Sequence, residues 1–134
     1  MDITERKQHE RELRRYRTLI ETMPDPAYAL DREGSYTLVN QAYVDQIGYD
    51  RTELLDSHIS HVLDEEALQR GQAIVETLLD TDETASERYE QTVELASGER
   101  VTCIVHQTLI YEDGEWHGSV GTVRPESRDW PEYV

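Results

Sequence analysis

Asn40-Gln41-Ala42-Tyr43, Ile47-Gly48-Tyr49 and Glu53-Leu54-Leu55 follow one another within residues 40–55, and this stretch decides how the rest of the chain is read. Asparagine is a preferred helix N-cap, because its side-chain oxygen accepts an orphan backbone N–H of the first turn. Asn40 therefore predicts a short helix through Ile47. Gly48 is placed to end it, since glycine enters left-handed geometry with no Cβ penalty. Thr52-Glu53-Leu54-Leu55 reads as another helical turn, and His58 to Leu63 as a third. Upstream, Ala27–Asp31 and Tyr36–Val39 are short apolar runs flanking Arg32-Glu33-Gly34-Ser35, the polar, glycine-bearing turn of a hairpin.

Downstream, Asp64 to Asp80 reads as the longest helix of this region. Asp64 is a good N-cap, and Glu65 and Glu66 complement the helix dipole in the first turn. Leu68, Gly71, Val75 and Leu78 share one face, widened by Ile74 and Leu79. After a polar linker over residues 80–86, Arg88 to Ala96 alternates with period two, which is the strand period. Ser97-Gly98-Glu99 and Glu112-Asp113-Gly114-Glu115 are turns, so Val101–Tyr111 and Trp116–Val123 complete a three-stranded meander. At the other end, Asp2 to Met23 is charged and free of glycine and proline. Its apolar residues Leu13, Tyr16, Ile20 and Met23 are spaced three, four and three apart, the seam of a coiled coil or of a helix lying on a sheet. Met23-Pro24-Asp25-Pro26 stops it, because each proline pushes the preceding residue out of α geometry. The order of elements predicts an α+β fold with an antiparallel sheet and helices gathered on one face.

Composition narrows the function classes. The chain has 134 residues, with 29 acidic against 13 basic side chains and a formal net charge of −16. Lys7 is its one lysine, so nearly all of the bases are arginine. Self-repulsion of this size destabilises a compact state in dilute buffer. In molar salt the screening length shrinks to about 3 Å and the penalty fades. Such an acidic, lysine-poor surface fits a salt-rich cytoplasm better than it fits the alternative, a moderately acidic mesophile protein. A duplex nucleic acid is disfavoured as a partner, since no basic stripe is available to neutralise phosphates. No apolar run approaches the roughly 20 residues of a membrane span, no secretory signal opens the chain, and direct membrane contact is not expected. Cys103 is the single cysteine, so an internal disulfide is impossible and a cytoplasmic location is expected.

The motifs at Asn40-Gln41-Ala42-Tyr43, Ile47-Gly48-Tyr49 and Glu53-Leu54-Leu55 resemble the Asn-x-Ala-Phe, Gly-Tyr and Glu-Leu-Leu spacing of the PAS family. Met23-Pro24-Asp25, Ser97-Gly98-Glu99 and Asp113-Gly114-Glu115 support the resemblance, which runs from about residue 16 to 124. It implies a five-stranded antiparallel sheet with three or four helices on one face and an amphipathic N-terminal linker helix packed outside. The expected organisation is a linker helix over 1–23, a sensor domain over 24–125 and a tail over 126–134. Asp2-Ile3-Thr4-Glu5-Arg6-Lys7 resembles the exit from a preceding PAS domain, as in a tandem array. Pro125-Glu126-Ser127 departs from the family's usual Asp-Ile-Thr exit.

The resemblance, taken with strand alternation, implies which side chains face an interior pocket. They are Tyr28 and Leu30; Tyr89, Gln91, Val93 and Leu95; Cys103, Val105, Gln107 and Leu109; and Ser119, Gly121 and Val123. Leu68, Val75 and Leu78 would roof them. This mostly apolar lining, with Gln91, Gln107 and Tyr89 able to hydrogen-bond, suits a small flat aromatic or heterocyclic ligand. The competing reading is a core packed solid, with the glutamines bonded to each other or to backbone. Cys103 is expected to act as a small apolar filler rather than a redox switch.

The cofactor stays unknown. Flavin photosensors of the family carry Gly-x-Asn-Cys-Arg where this chain reads Ser57-His58-Ile59-Ser60-His61, so thiol-adduct photochemistry is not expected. Asp64 to Asp80 contains no histidine, which argues against haem held from that helix and leaves only His58 or His61. Those two histidines near Asp64 could begin a zinc site, but a tight site needs three or four ligands and surface or capping roles are the plainer reading. No metal site is therefore expected. His106 and the apolar Ile104 are placed on the outer sheet face, which suggests that this face is covered by the linker helix or a second subunit.

No nucleophile elbow, phosphate loop or kinase core is present, so no catalytic residue is assigned. Three readings remain. The first is a cytosolic input domain of a histidine kinase or transducer, binding a small molecule and signalling through a homodimer at Leu13, Tyr16, Ile20 and Met23 to an output domain of the same chain. The second is a ligand-free dimerisation or protein-interaction module. The third is a small α+β enzyme, which requires a carboxylate or histidine in the pocket, and the inward set holds neither.

Overall fold

The computed structural model describes residues 17–125 of the 134. Leu13, Tyr16 and the tail over 126–134 lie outside the described residues. Residues 17–22 are helical (α1), followed by β1 (Ala27–Asp31) and β2 (Tyr36–Val39). Helices α2 (Gln41–Ile47) and α3 (Arg51–Leu55), a 3-10 turn (Ile59–His61) and α4 (Glu65–Leu79) come next. Strands β3 (Ser86–Glu94), β4 (Arg100–Glu112) and β5 (Glu115–Pro125) complete the chain's order of elements. The five strands form one antiparallel sheet in the order β2-β1-β5-β4-β3.

The local signals work as their chemistry requires. Asn40 Oδ1 accepts the Tyr43 N–H at 2.9 Å, and Gly48 closes α2 with φ of 90°. Asp64 Oδ1 accepts the Ala67 N–H at 2.8 Å, and its other oxygen pairs with Arg100, tying the start of α4 to β4. The three late strands run slightly beyond their apolar cores, because ladder pairing continues through solvated residues such as Ser86 and Arg100. At its far end β3 stops at Glu94 rather than Ala96, because the helices take over the backbone. Glu94 N–H donates to Val62 O at 2.9 Å and Ala96 N–H to Ile47 O at 2.9 Å.

Two apolar layers sandwich the sheet. The inner one joins Tyr28, Val39, Val93, Cys103, Val105 and Val123 to Tyr43, Ile47, Leu54, Ile59, Val62 and Ala67 from the helical segment. The outer one is small: Ile20 of α1 covers Ala27 and Ala29 of β1, flanked by Leu38 and Val120. Ile20 is thus 5% exposed within its own chain, whereas Leu19 (58%) and Met23 (36%) remain open. Its spacing suited either a seam between chains or a seat on the sheet, and within this chain it takes the seat. Ile104 faces outward and is only partly covered.

Ile20→Glu is accordingly expected to lower folding stability by about 2–4 kcal/mol, through lost burial and a carboxylate left against the sheet. Denaturant titration checks this. A variant that changed only its subunit count, with stability intact, would place Ile20 between chains instead.

Candidate functional site

Between α4 and the inner sheet face lies a cavity of about 380 Å³. Tyr28 and Leu30 of β1, Tyr89 and Gln91 of β3, Gln107 of β4 and Ser119 of β5 form its floor. Leu68, Gly71, Gln72, Val75, Glu76 and Leu79 of α4 form its roof, with Ile59 and Leu63 at one end. The rim comprises Asp31, Arg32, Glu33 and Gly34 of the β1–β2 turn, together with His58 and Trp116.

Eight of the residues expected from alternation meet here: Tyr28, Leu30, Leu68, Val75, Tyr89, Gln91, Gln107 and Ser119. Val93, Val105 and Val123 do face inward, but with Tyr28 and Tyr43 they line a separate gap of about 10 Å³. A space that small holds one water at most, so this end of the interior is packed core. Leu78 and Cys103 line neither space and are corrected to core residues. Leu79 falls close to the line of Leu68, Gln72 and Val75 along the helix, whereas Leu78 is rotated away from Leu68, so Leu79 takes the roof position. Cys103 is fully buried and its thiol lies 3.3 Å from the Gln91 carbonyl oxygen, as a small filler would.

The polar groups of the floor are linked to one another. Tyr89 donates its hydroxyl proton to Gln107 Oε1 at 2.6 Å, and Gln91 Nε2 donates to Ala67 O at a long 3.5 Å. Above them stands Gly71, a mid-helix glycine whose hypothetical Cβ would lie 3.6 Å from Gln91 Nε2 and 3.9 Å from the Tyr89 hydroxyl. Helix-interior glycine costs about 0.5–1 kcal/mol relative to alanine. What it leaves here is open space over the floor.

The rim was not legible as a site. His58 Nδ1 accepts the Ser60 N–H at 3.1 Å, so its proton sits on Nε2, which donates to Glu33 O at 2.7 Å and pins the β1–β2 turn. Asp31 Oδ1 accepts the N–H groups of Glu33 and Ser35 at 3.0 and 2.9 Å. The Arg32 guanidinium lies 5.2 Å from the Trp116 ring centre, and Trp116 Nε1–H donates to Gly118 O at 2.8 Å. Acidic and imidazole groups therefore do reach this cavity, against the expectation of none. They are consumed in turn-capping or exposed at the edge, and no two of them form an acid–base pair. His61 is engaged elsewhere, 2.8 Å from Glu53 Oε2 and against the Tyr49 ring. Among the described residues no cluster of three or more His, Cys, Asp or Glu is arranged to hold a metal.

From the floor inward, Tyr28 packs ring to ring with Tyr36 and Tyr43, with centroids 5.1–6.0 Å apart, and the Tyr36 and Tyr43 hydroxyls meet at 2.6 Å. Burial, more than any neighbour, holds all three hydroxyls well above the ordinary phenol range and pushes Tyr89 up to about 12. The folded values exceed the unfolded value near 10, so the stability they contribute is complete below about pH 10 and falls as pH rises through the folded values. Each such tyrosine steepens the fall by about 1.4 kcal/mol per pH unit. Alkaline titration should therefore show phenolate absorbance rising together with loss of circular dichroism above pH 10. Ionisation of all the tyrosines near pH 10 with the fold intact would contradict this burial.

With sheet, helices and interior in hand, the fold is a five-stranded antiparallel sheet with helices on one face and a cavity between the two. The family model for the PAS fold matches residues 14–125, and the chain belongs to the PAS family, a signal-transduction module. No curated protein matches the chain. Among solved structures it is similar to the PAS domain of an HTR-like protein from Haloarcula marismortui, at 24% identity and a TM-score of 0.64, over 92% of this chain and 99% of that one. It is also similar to a domain of the sensory box sensor histidine kinase/response regulator from Geobacter sulfurreducens, at 27% identity and 0.63, over 84% and 93%. The Rhodobacter sphaeroides LOV protein superposes at 0.75 with 13% identity, over 89% of this chain and 69% of that one, a likeness of fold.

Proposed function

We propose that this domain is a sensory input module of a histidine kinase or related transducer, binding a small organic molecule between α4 and the sheet. The observation that carries this reading is the cavity itself. Its volume of about 380 Å³ falls within the roughly 300–1,000 Å³ of small-molecule sites. In this reading, occupancy biases the sheet and, through Ile20 on its outer face, the helix that leads into the domain. Signalling requires the ligand to prefer one of two arrangements of that helix, since tight binding without preference shifts nothing. Homodimerisation through the N-terminal helix, a cytoplasmic location and adaptation to high salt belong to the same proposal. They are supported by the exposed Leu19 and Met23 on that helix and by the net charge of −16. No described helix is long and apolar enough to cross a membrane.

Gly71 gives the decisive variant. Gly71→Ala is expected to stabilise the fold by about 0.5–1 kcal/mol, whereas Gly71→Phe fills the space above Gln91 and Tyr89. Native mass spectrometry of protein purified in high salt should report a retained small molecule and the subunit count. The Phe variant, still folded, should retain none. Absence of any retained mass, with no small aromatic raising the unfolding midpoint, would favour a ligand-free dimerisation module, because a true ligand stabilises by mass action.

A further inference from the structure

Three of the most buried polar side chains in the described residues, Gln91, Gln107 and Ser119, all open into the cavity. Each is at least nine-tenths buried and lies on the inner face of a different strand. The register sets them in a diagonal across the sheet. Gln107 stands opposite Gly121, two residues from Ser119 on β5, while Tyr89 stands opposite Val105, two residues from Gln107 on β4. Tyr89 occupies Gln107 Oε1, which turns the Gln107 amide N–H₂ away as a donor. Among the described residues no hydrogen bond is made by that N–H₂, by Gln91 Oε1 or by Ser119 Oγ. None of the three is a fully enclosed atom without a partner, so all three present their hydrogen-bonding capacity to the cavity, where an occupant can meet it.

Charge sorts the answers. No floor residue is ionised, while the rim carries Asp31 and Glu33 and the roof carries Glu76, against the single Arg32, in a chain of net charge −16. Arg32 is moreover drawn onto Trp116. An anionic ligand would cross a repulsive mouth to reach a floor without a cation. A pure hydrocarbon would leave the donor on Gln107 and the acceptor on Gln91 unanswered.

We propose that the ligand is an uncharged planar aromatic or heterocycle carrying both a hydrogen-bond acceptor, met by Gln107 and Ser119, and a donor, met by Gln91. This rests on the reading of the cavity as a ligand site and specifies its chemistry. Three probes of similar shape test it: 2-quinolone, with adjacent N–H and C=O; naphthalene, with neither; and 2-naphthoate, which adds a charge. Calorimetry and unfolding midpoints should rank 2-quinolone about tenfold or more above both others. Gln107→Leu and Ser119→Ala, checked for fold by circular dichroism, should each shrink that preference while naphthalene binding holds or improves. Should the Leu variant fail to fold, Ser119→Ala and the ranking in the parent protein still decide. Naphthalene or 2-naphthoate binding as well as 2-quinolone would overturn the ligand class and leave the sensory reading standing. If none of the three binds, nor any compound retained on purification is found, both fall together.

Discussion

Asn40→Ala is expected to remove about 4 kcal/mol of folding stability, a large share of the 5–15 kcal/mol a domain of this kind has. The side chain is fully buried and makes four hydrogen bonds. Its Oδ1 accepts from Ala27 N–H at 3.0 Å and Tyr43 N–H at 2.9 Å; its Nδ2 donates to Asp25 O at 2.8 Å and Met23 O at 3.3 Å. Alanine thus removes a helix cap worth about 1 kcal/mol and also strands the buried Ala27 N–H and the carbonyls of the segment entering β1. The unfolding midpoint should fall by roughly 15 °C. Asn40→Ser, which can keep the cap but not the reach to residues 23–27, should lose about half as much. A loss near 1 kcal/mol for the alanine variant would mean that Asn40 is only a cap and that β1 is held by other means.

Gly118→Ala should damage the fold comparably, for a reason of space. A Cβ at Gly118 would stand 2.0 Å from Leu30 O, where no side-chain rotation can relieve the collision, and the residue's φ of 158° already disfavours a side chain. Since Gly118 pairs with Asp31 and its neighbour Ser119 with Leu30, relief means separating β1 from β5. An overpacking cost of 1–3 kcal/mol is the usual scale, and a backbone obstacle places this case at about 3 kcal/mol or more. Hydrogen exchange should quicken first at the amides of Ala27–Asp31 and of their partners on β5. The cavity should suffer too, because Leu30 and Ser119 line it and the Gly118 carbonyl holds Trp116 at the rim. A variant melting within a degree or two of the parent protein would show that the strands part more easily than their register implies.

The two large effects and the smaller one at Gly71 share a logic: each residue is fixed by the space it must leave or the backbone it must satisfy. Asn40 announces this locally, because a cap acts on the N–H three residues on. Gly71 offered one signal that sequence alone carries, a glycine spent in the middle of an amphipathic helix, though only the tertiary fold sets Gln91 and Tyr89 beneath it. Gly118 gives no such sign, since its constraint comes from a strand nearly ninety positions earlier.

Caps, turns and periodicity act over four residues or fewer, so the elements, the inward faces of β3 and β4 and the α+β class could be derived from the residue order. Alternation says which side of a sheet a side chain takes, but not which strands adjoin. Turns make β3, β4 and β5 neighbours, but it was the pairing of β1 with β5 that brought Trp116 beside Arg32, set Leu30 opposite Ser119 and divided the interior. One half became packed core around Val93, Val105 and Val123; the other stayed open beneath α4. Those are consequences of long-range pairing, in which each contact joins residues far apart in sequence, and no local rule encodes them.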